Sequence, residues 1–167
     1  AIAGWRALSQ RYGKLPFADL FGPAIRHARD GFLVSPVVAE KWAAAVPVMP
    51  TGLGWQDHFL PFGRPPAIGE RCASAALAAS VEQIAASGGE SFYRGDLAAA
   101  MVRHAQACSG THTLADFAGY AVDWVTPLAH PYRNATVHEI PPNGQGISVL
   151  MALGILQHFD LAGAPVD

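Results

Sequence analysis

From Ile147 to Phe159 the spacing of residues predicts a helix that is apolar on nearly every face, broken only by Ser148, Gly154, Gln157 and His158. Such a helix must be covered on most sides. The remaining sequence predicts six other helices and two strands, scarcely enough to supply that cover. Composition points the same way: 51% of residues are apolar and 14% charged, where about a quarter charged is usual for an independent domain. The chain is therefore expected to bury much of its surface against partners or against other parts of a longer polypeptide. A membrane span is not expected, because the longest apolar run, Ile147 to Leu156, falls well short of the ~20 residues needed. Net charge is −2 with no basic cluster, so no nucleic-acid partner is expected. Ala1 is followed by no charged-then-apolar leader; any targeting signal is expected upstream, and the compartment is left open.

The fold class read from periodicity is α+β, predominantly α-helical, with a few strands near residues 122–140. Residues 1–167 read as a single segment: helical over 1–120, strands over 122–140, a last helix over 147–159. Trp5, Leu8 and Tyr12 share a helical face that Gly13 ends. Pro16 opens a second helix with a stripe of Phe17, Leu20, Phe21, Ala24, Ile25 and Ala28, and Arg26, His27 and Arg29 sit where the helix dipole favours cations. Gly31 stops it. Ser35-Pro36 is an N-cap with a first-turn proline, and Val38, Trp42 and Ala45 form the expected buried face of a third helix. Pro47 to Gly69 holds five prolines and four glycines, which predicts a long irregular connection packed by Trp55, Phe59 and Phe62.

Helicity is expected again from Cys72, with Leu77, Val81, Ile84 and Ala85 on one face as far as Gly88-Gly89. Leu97, Met101, His104, Ala105 and Cys108 mark another helix. Thr113 and Asp116 form a weakened capping box ahead of Leu114, Phe117 and Tyr120. Val122–Thr126 and Tyr132–Ile140 are β-branched and aromatic, as strands are; Pro141-Pro142 closes the second, and Asn143-Gly144-Gln145-Gly146 turns into the last helix.

No constellation of catalytic residues stands out. The seven histidines include no His-Glu-x-x-His, and the two cysteines no Cys-x-x-Cys, so no metal site and no cofactor are expected. His27 reads as a dipole partner, His104 as a partly buried helix residue and His138 as one face of a strand. Cys72 and Cys108 each lie in apolar helical context and read as buried thiols. There is no Gly-x-Ser-x-Gly elbow, and Ser148 reads as a small packing residue within its helix. Gly144-Gln145-Gly146 lacks the third glycine of a dinucleotide turn, since Val149 stands there; a structural turn is preferred to an anion site at the helix N-terminus. Thr111-His112-Thr113 has the look of an N-terminal nucleophile beside a base, but a helix cap is a sufficient role for Thr113. Asp123 and Glu139 lack a paired carboxylate and read as solvent-facing.

Taken in order, a series of short strings is more specific than any of these. They are Tyr12-Gly13-Lys14-Leu15-Pro16-Phe17, Pro23-Ala24, Ala28-Arg29-Asp30-Gly31-Phe32, Leu77-Ala78, Ile84-Ala85 and Phe92-Tyr93-Arg94-Gly95. Then come Leu114-Ala115-Asp116-Phe117, Tyr132-Arg133, Ile140-Pro141-Pro142-Asn143-Gly144-Gln145-Gly146 and Leu153-Gly154-Ile155-Leu156. From about Gly4 to Asp160 the chain resembles the central part of the large subunit of the gamma-glutamyltransferase family. The resemblance implies part of an N-terminal-nucleophile hydrolase αββα sandwich, made as a precursor that cleaves itself into large and small subunits. The small subunit's new N-terminal threonine would attack a gamma-glutamyl amide such as glutathione, with no metal.

Matched position by position, the family's catalytic threonine, oxyanion glycines and glutamyl contacts fall after Asp167, and its carboxylate-gripping arginine before Ala1. The resemblance thus places no catalytic, substrate-binding or metal residue on this segment, which is expected to be scaffold and inactive alone. Its implied partners are the remainder of the same polypeptide and a small gamma-glutamyl or glutaryl substrate, since Asn143-Gly144-Gln145-Gly146 is more similar to the bacterial branch that includes cephalosporin acylases. The residues by themselves also fit a non-catalytic helical interaction module, and bare apolar faces predict self-association of the fragment.

Overall fold

The computed structural model describes residues 1–49 and 54–160; residues 50–53, inside the stretch read as an irregular connection, lie outside the described residues. The chain divides into two compact units, Ala1–Val122 and the residues from Asp123 on.

The first unit contains α1 (Ile2–Tyr12), a 3-10 turn (Phe17–Phe21), α2 (Gly22–Asp30), β1 (Phe32–Leu33), α3 (Pro36–Ala45) and a second 3-10 turn (Val46–Val48). There follow α4 (Trp55–Phe59), β2 (Arg71–Cys72), α5 (Ala75–Ala86), α6 (Ser91–Arg94), α7 (Asp96–Ala107) and α8 (Leu114–Ala118). The single helix expected after Pro16 is two pieces. Pro23 has no N–H to donate and is tolerated only in a first turn, so the stripe changes from 3-10 to α geometry at Gly22. Ile2, Phe21, Ile84 and Tyr93 bury together, joining α1, the 3-10 turn, α5 and α6. The Ala3 N–H donates to the Tyr93 hydroxyl at 3.1 Å, satisfying one of the free amides of the first turn of α1. Arg6 and Arg94 converge on Glu90 at 2.6 and 3.2 Å, and Arg94 also donates to the Ala118 carbonyl at 2.7 Å. Along the other side, α2 packs on α5, with Arg29 paired to Glu82.

Gly31 carries the chain from α2 into β1 at φ +80°, ψ 169°, a conformation open in practice to glycine alone. A Cβ there would meet the Cys72 carbonyl oxygen at 2.6 Å. That close approach lets β1 pair antiparallel with β2, Phe32 opposite Cys72. Cys72 is thus a buried strand residue rather than a helical one. The Ser35 side chain caps α3 as expected, accepting from Val38 N–H at 3.4 Å. The anticipated buried face of α3 is not formed: Val38 is exposed, while Trp42 and Ala45 are half-buried. What α3 meets is the small α4, whose Phe59 carbonyl accepts from the Trp42 indole N–H at 2.9 Å while Trp55 stacks on Phe59 at 5.3 Å. The proline-rich connection ends in a clamp. Arg64 forks onto both oxygens of Glu70 at 2.6 and 2.8 Å, and Ala67 N–H adds 2.7 Å.

The second unit is an antiparallel hairpin, β3 (Leu128–Tyr132) with β4 (Ala135–Glu139), followed by α9 (Gly146–Leu156). Val122–Thr126, expected as a strand, makes no ladder. Continuing the register that sets Leu128 against Glu139 would place Thr126 and Val125 opposite Pro141 and Pro142, which have no N–H to offer, and Pro127 lacks one too. Tyr132-Arg133-Asn134, read as continuous strand, is the hairpin turn, with Arg133 in the left-handed region at φ 54°. Leu128, His130, Tyr132, Val137 and Glu139 make the half-buried face, which α9 covers with Leu150 as its buried centre.

The Arg64 guanidinium, then the Ala67 N–H, hold the Glu70 carboxyl down at about 2 against an ordinary 4.5. A lowered folded-state value means that its contribution is complete above the ordinary value and is lost as pH falls through the lowered one. In an NMR titration Glu70 should stay charged to about pH 2, and Arg64→Gln should return its midpoint toward 4.5. An unmoved midpoint would mean that the fork is absent in solution.

Candidate functional site

The most tempting sequence string, Thr111-His112-Thr113, lies in the chain leading into α8. A complete capping box holds it there. Asp116 Oδ2 accepts from both the Thr113 N–H and its hydroxyl, at 2.7 and 2.8 Å, while Thr113 Oγ accepts from Asp116 N–H at 3.3 Å. Aspartate closes the box as fully as the longer glutamate would. The hydroxyl, followed by the backbone N–H, keeps the Asp116 carboxyl below its ordinary value, which makes it a poor base for that hydroxyl. An N-terminal nucleophile also needs a free α-amine. The Thr113 nitrogen is a mid-chain amide already spent on the cap.

His112 and Asp116 do border a cavity of about 350 Å³, together with Phe92, Tyr93, Phe117 and Tyr120; Ala1 completes its wall. Tyr93 and Tyr120 stack at 5.3 Å, 7° from parallel. The His112 ring is set 6.2 Å from that of Phe117, so it leans on an aromatic rather than on Thr113.

The other candidates separate in the same way. His27 and His58 border a smaller cavity of about 120 Å³ with Trp42, Phe59 and Cys72. Burial, and secondarily Glu70, push the Cys72 thiol upward, which suits an inert packing role. Among the described residues no three His, Cys, Asp or Glu side chains are placed to hold a metal ion. His104 faces Cys108 across one helical turn, Nε2 to Sγ 3.7 Å, a pair missed by looking for spacing among histidines alone. Ser148 bonds back to Gln145 at 3.3 Å in the first turn of α9. Asp123 and His138 are exposed.

The start of α9 is not open for an external anion. The Glu139 side chain fills the space beside Gly146, where a Cβ would come within 2.6 Å of its Oε2. Glu139, expected in solvent, is half-buried here, with its carboxylate at the end of the helix where the peptide dipoles favour negative charge. His130, not singled out from the sequence, points to the same helix. Its alternation with Leu128 and Tyr132 was the signal available.

Against known proteins, the family model described as gamma-glutamyltranspeptidase matches residues 1–167. A glutathione hydrolase-like proenzyme of Bacillus subtilis is 34% identical over 159 residues, covering 95% of this chain and 30% of that protein. The glutathione hydrolase proenzyme of Escherichia coli is 32% identical, covering 96% and 28%. The chain thus spans less than a third of these curated relatives. Among solved structures, the cephalosporin acylase of Bacillus halodurans superposes with a TM-score of 0.92 at 39% identity, over 99% of this chain and 32% of that one. The gamma-glutamyltranspeptidase of Helicobacter pylori gives 0.90 at 25% identity, over 99% and 49%.

A cap role for Thr113 has a measurable signature. Thr113→Ala should lower stability by about 1 kcal/mol in denaturant unfolding, and Thr113→Ser should recover most of it. A Thr113→Ala chain as stable as the parent would refute the assignment.

Proposed function

The chain belongs to the gamma-glutamyltranspeptidase family, and on that premise we propose that it is scaffold from a gamma-glutamyl transferase or hydrolase whose reacting groups lie elsewhere in a longer polypeptide. The observation that carries the reading is the whole-length family match together with the engagement of Thr113, one of the two threonines flanking His112, in a closed capping box. In the proposed enzyme a threonine freed by self-cleavage attacks the gamma-glutamyl carbonyl. Its own α-amine takes the hydroxyl proton, the amine or thiol-bearing peptide departs, and water or an amino acid resolves the acyl-enzyme. Relatives named as proenzymes support the processing step and the small subunit as partner. Relatives named as hydrolases and acylases favour an enzyme over a helical interaction module.

A second reading, hydrolysis of a glutaryl amide, is favoured by the superposition on a cephalosporin acylase at 39% identity. The two acyl groups share a five-carbon skeleton with a terminal carboxylate and differ by the α-amine. Discrimination between them falls to contacts that this segment does not supply in the proposed scheme.

With gamma-glutamyl-p-nitroanilide the 167-residue chain should give only background release of nitroaniline. Turnover abolished by Thr113→Ala would overturn the scaffold reading. A longer polypeptide carrying the segment should turn over one of the gamma-glutamyl and glutaryl anilides, and the preferred one decides between the two substrates.

The bare apolar side chains give a further expectation. Trp5, Leu8 and Tyr12 are 51–65% exposed along α1, and Met151 and Ile155 are 64% and 61% exposed on α9. In the proposed parent these are interior faces. Alone in water they should drive the chain to self-associate, visible as oligomers in light scattering; a monodisperse monomer would count against it.

A further inference from the structure

We propose that His104 and Cys108 form a two-point chelate for a zinc ion at the carboxyl end of α7. The two residues stand one helical turn apart, a spacing that sets their side chains on the same face. Paired histidines at this spacing hold zinc in helical metal sites. His104 Nε2 lies 3.7 Å from Cys108 Sγ. A tetrahedral zinc ion, bonded at about 2.05 Å to nitrogen and about 2.3 Å to sulfur, would hold two such atoms about 3.6 Å apart. The donor atoms therefore already stand at chelating distance.

The setting holds the pair in place and favours a cation. Cys108 N–H donates to the His104 and Ala105 carbonyls at 3.1 and 3.0 Å, so backbone hydrogen bonds fix the two ligand-bearing residues relative to each other. Gly110 N–H returns to the Ala105 carbonyl at 2.7 Å, past Ser109 in the left-handed region at φ 60°. The carbonyl end of a helix carries partial negative charge, which a bound cation complements. His104 is exposed and Cys108 half-buried, so water can reach the two remaining tetrahedral positions. Among the described residues no third His, Cys, Asp or Glu joins them, which makes this an exchangeable site rather than a closed structural one. Thiolate with imidazole is a donor set that suits zinc and not magnesium or calcium. Binding exchanges the Cys108 S–H bond for an S–Zn bond and releases the proton to solvent, while His104 gives its Nε2 lone pair; no oxidation state changes. The ion closes the last turn of α7 and masks the thiol. It has no part in the acyl transfer proposed above and does not depend on that reading.

A cobalt titration of the untagged 167-residue chain, oxygen-free and with a phosphine reductant, tests this. Co2+ should produce a thiolate-to-cobalt charge-transfer band, and added Zn2+ should remove it, since zinc stands above cobalt in affinity for such donors. Cys108→Ser should abolish the band, and His104→Gln, at an exposed position, should weaken binding at least tenfold. If Cys108→Ser does not fold, Cys108→Ala makes the same comparison. No band in the unsubstituted chain, or one that zinc leaves in place, overturns the proposal. A band that survives loss of the Cys108 thiol would assign the ion to Cys72 and overturn it equally. Unchanged affinity in His104→Gln would reduce the site to a single thiol, with the same result.

Discussion

Ile2, Phe21, Ile84 and Tyr93 bring four elements of the first unit into one cluster, and the rest of that unit takes its position from them. Two of these residues stand 91 positions apart in sequence, so the contact is what closes the fold. Burying side chains of this size contributes roughly 1.5–3 kcal/mol each. The Tyr93 hydroxyl adds direction, because it must meet the Ala3 N–H and so fixes the angle at which α1 enters. Arg6, Glu90 and Arg94 then repeat the link at the surface, where exposure keeps its contribution small. Of α1 the cluster takes in Ile2 and Ala3, and Trp5 tilts onto Phe21 with ring centroids 6.3 Å apart. Even so Trp5, Leu8 and Tyr12 stay 51–65% exposed, although the sequence gives them the periodicity of a buried stripe.

The same shortage of cover recurs in the second unit with a different solution. Within this unit α9, a helix without one charged residue, packs on the β3–β4 hairpin. Close approach is achieved by leaving out side chains at Gly146 and Gly154 and seating Glu139 and His130 in the gaps. Two ionisable residues thereby serve as packing groups beneath an apolar helix. On the opposite side of α9, Met151 and Ile155 are 64% and 61% exposed among the described residues. An apolar helix used on one side only is intelligible as an element of something larger, which agrees with a chain spanning 28–30% of its relatives.

What could be read from the sequence was local. The stops at Gly13 and Gly31, the Ser35 cap and the Thr113–Asp116 box depend on a few adjacent residues, and each stands where the spacing put it. Contacts across the chain were not legible. The β1–β2 pairing needs Gly31 to approach Cys72, 41 residues on, and nothing in either string announces the other. The first strand was misplaced because β-branched composition suits an extended chain whether or not a partner can pair with it; here the partner positions are prolines. His130 and Glu139 were passed over or read as solvent-facing because burial depended on two glycines of another element.

The strings that carry the family resemblance are mostly this same local punctuation. Ala28-Arg29-Asp30-Gly31-Phe32 is a helix stop followed by a positive-φ glycine and the first residue of a strand. Leu114-Ala115-Asp116-Phe117 contains half of a capping box. Tyr132-Arg133 is the entry to a hairpin turn through a left-handed residue. Each is demanded by backbone geometry, so a series of them in fixed order specifies a fold closely. On the proposed reading the nucleophile, the base and the oxyanion donors belong to other parts of a longer polypeptide. A segment can therefore be unmistakable in architecture and silent about the acyl group, because the residues that define the one are not those that select the other.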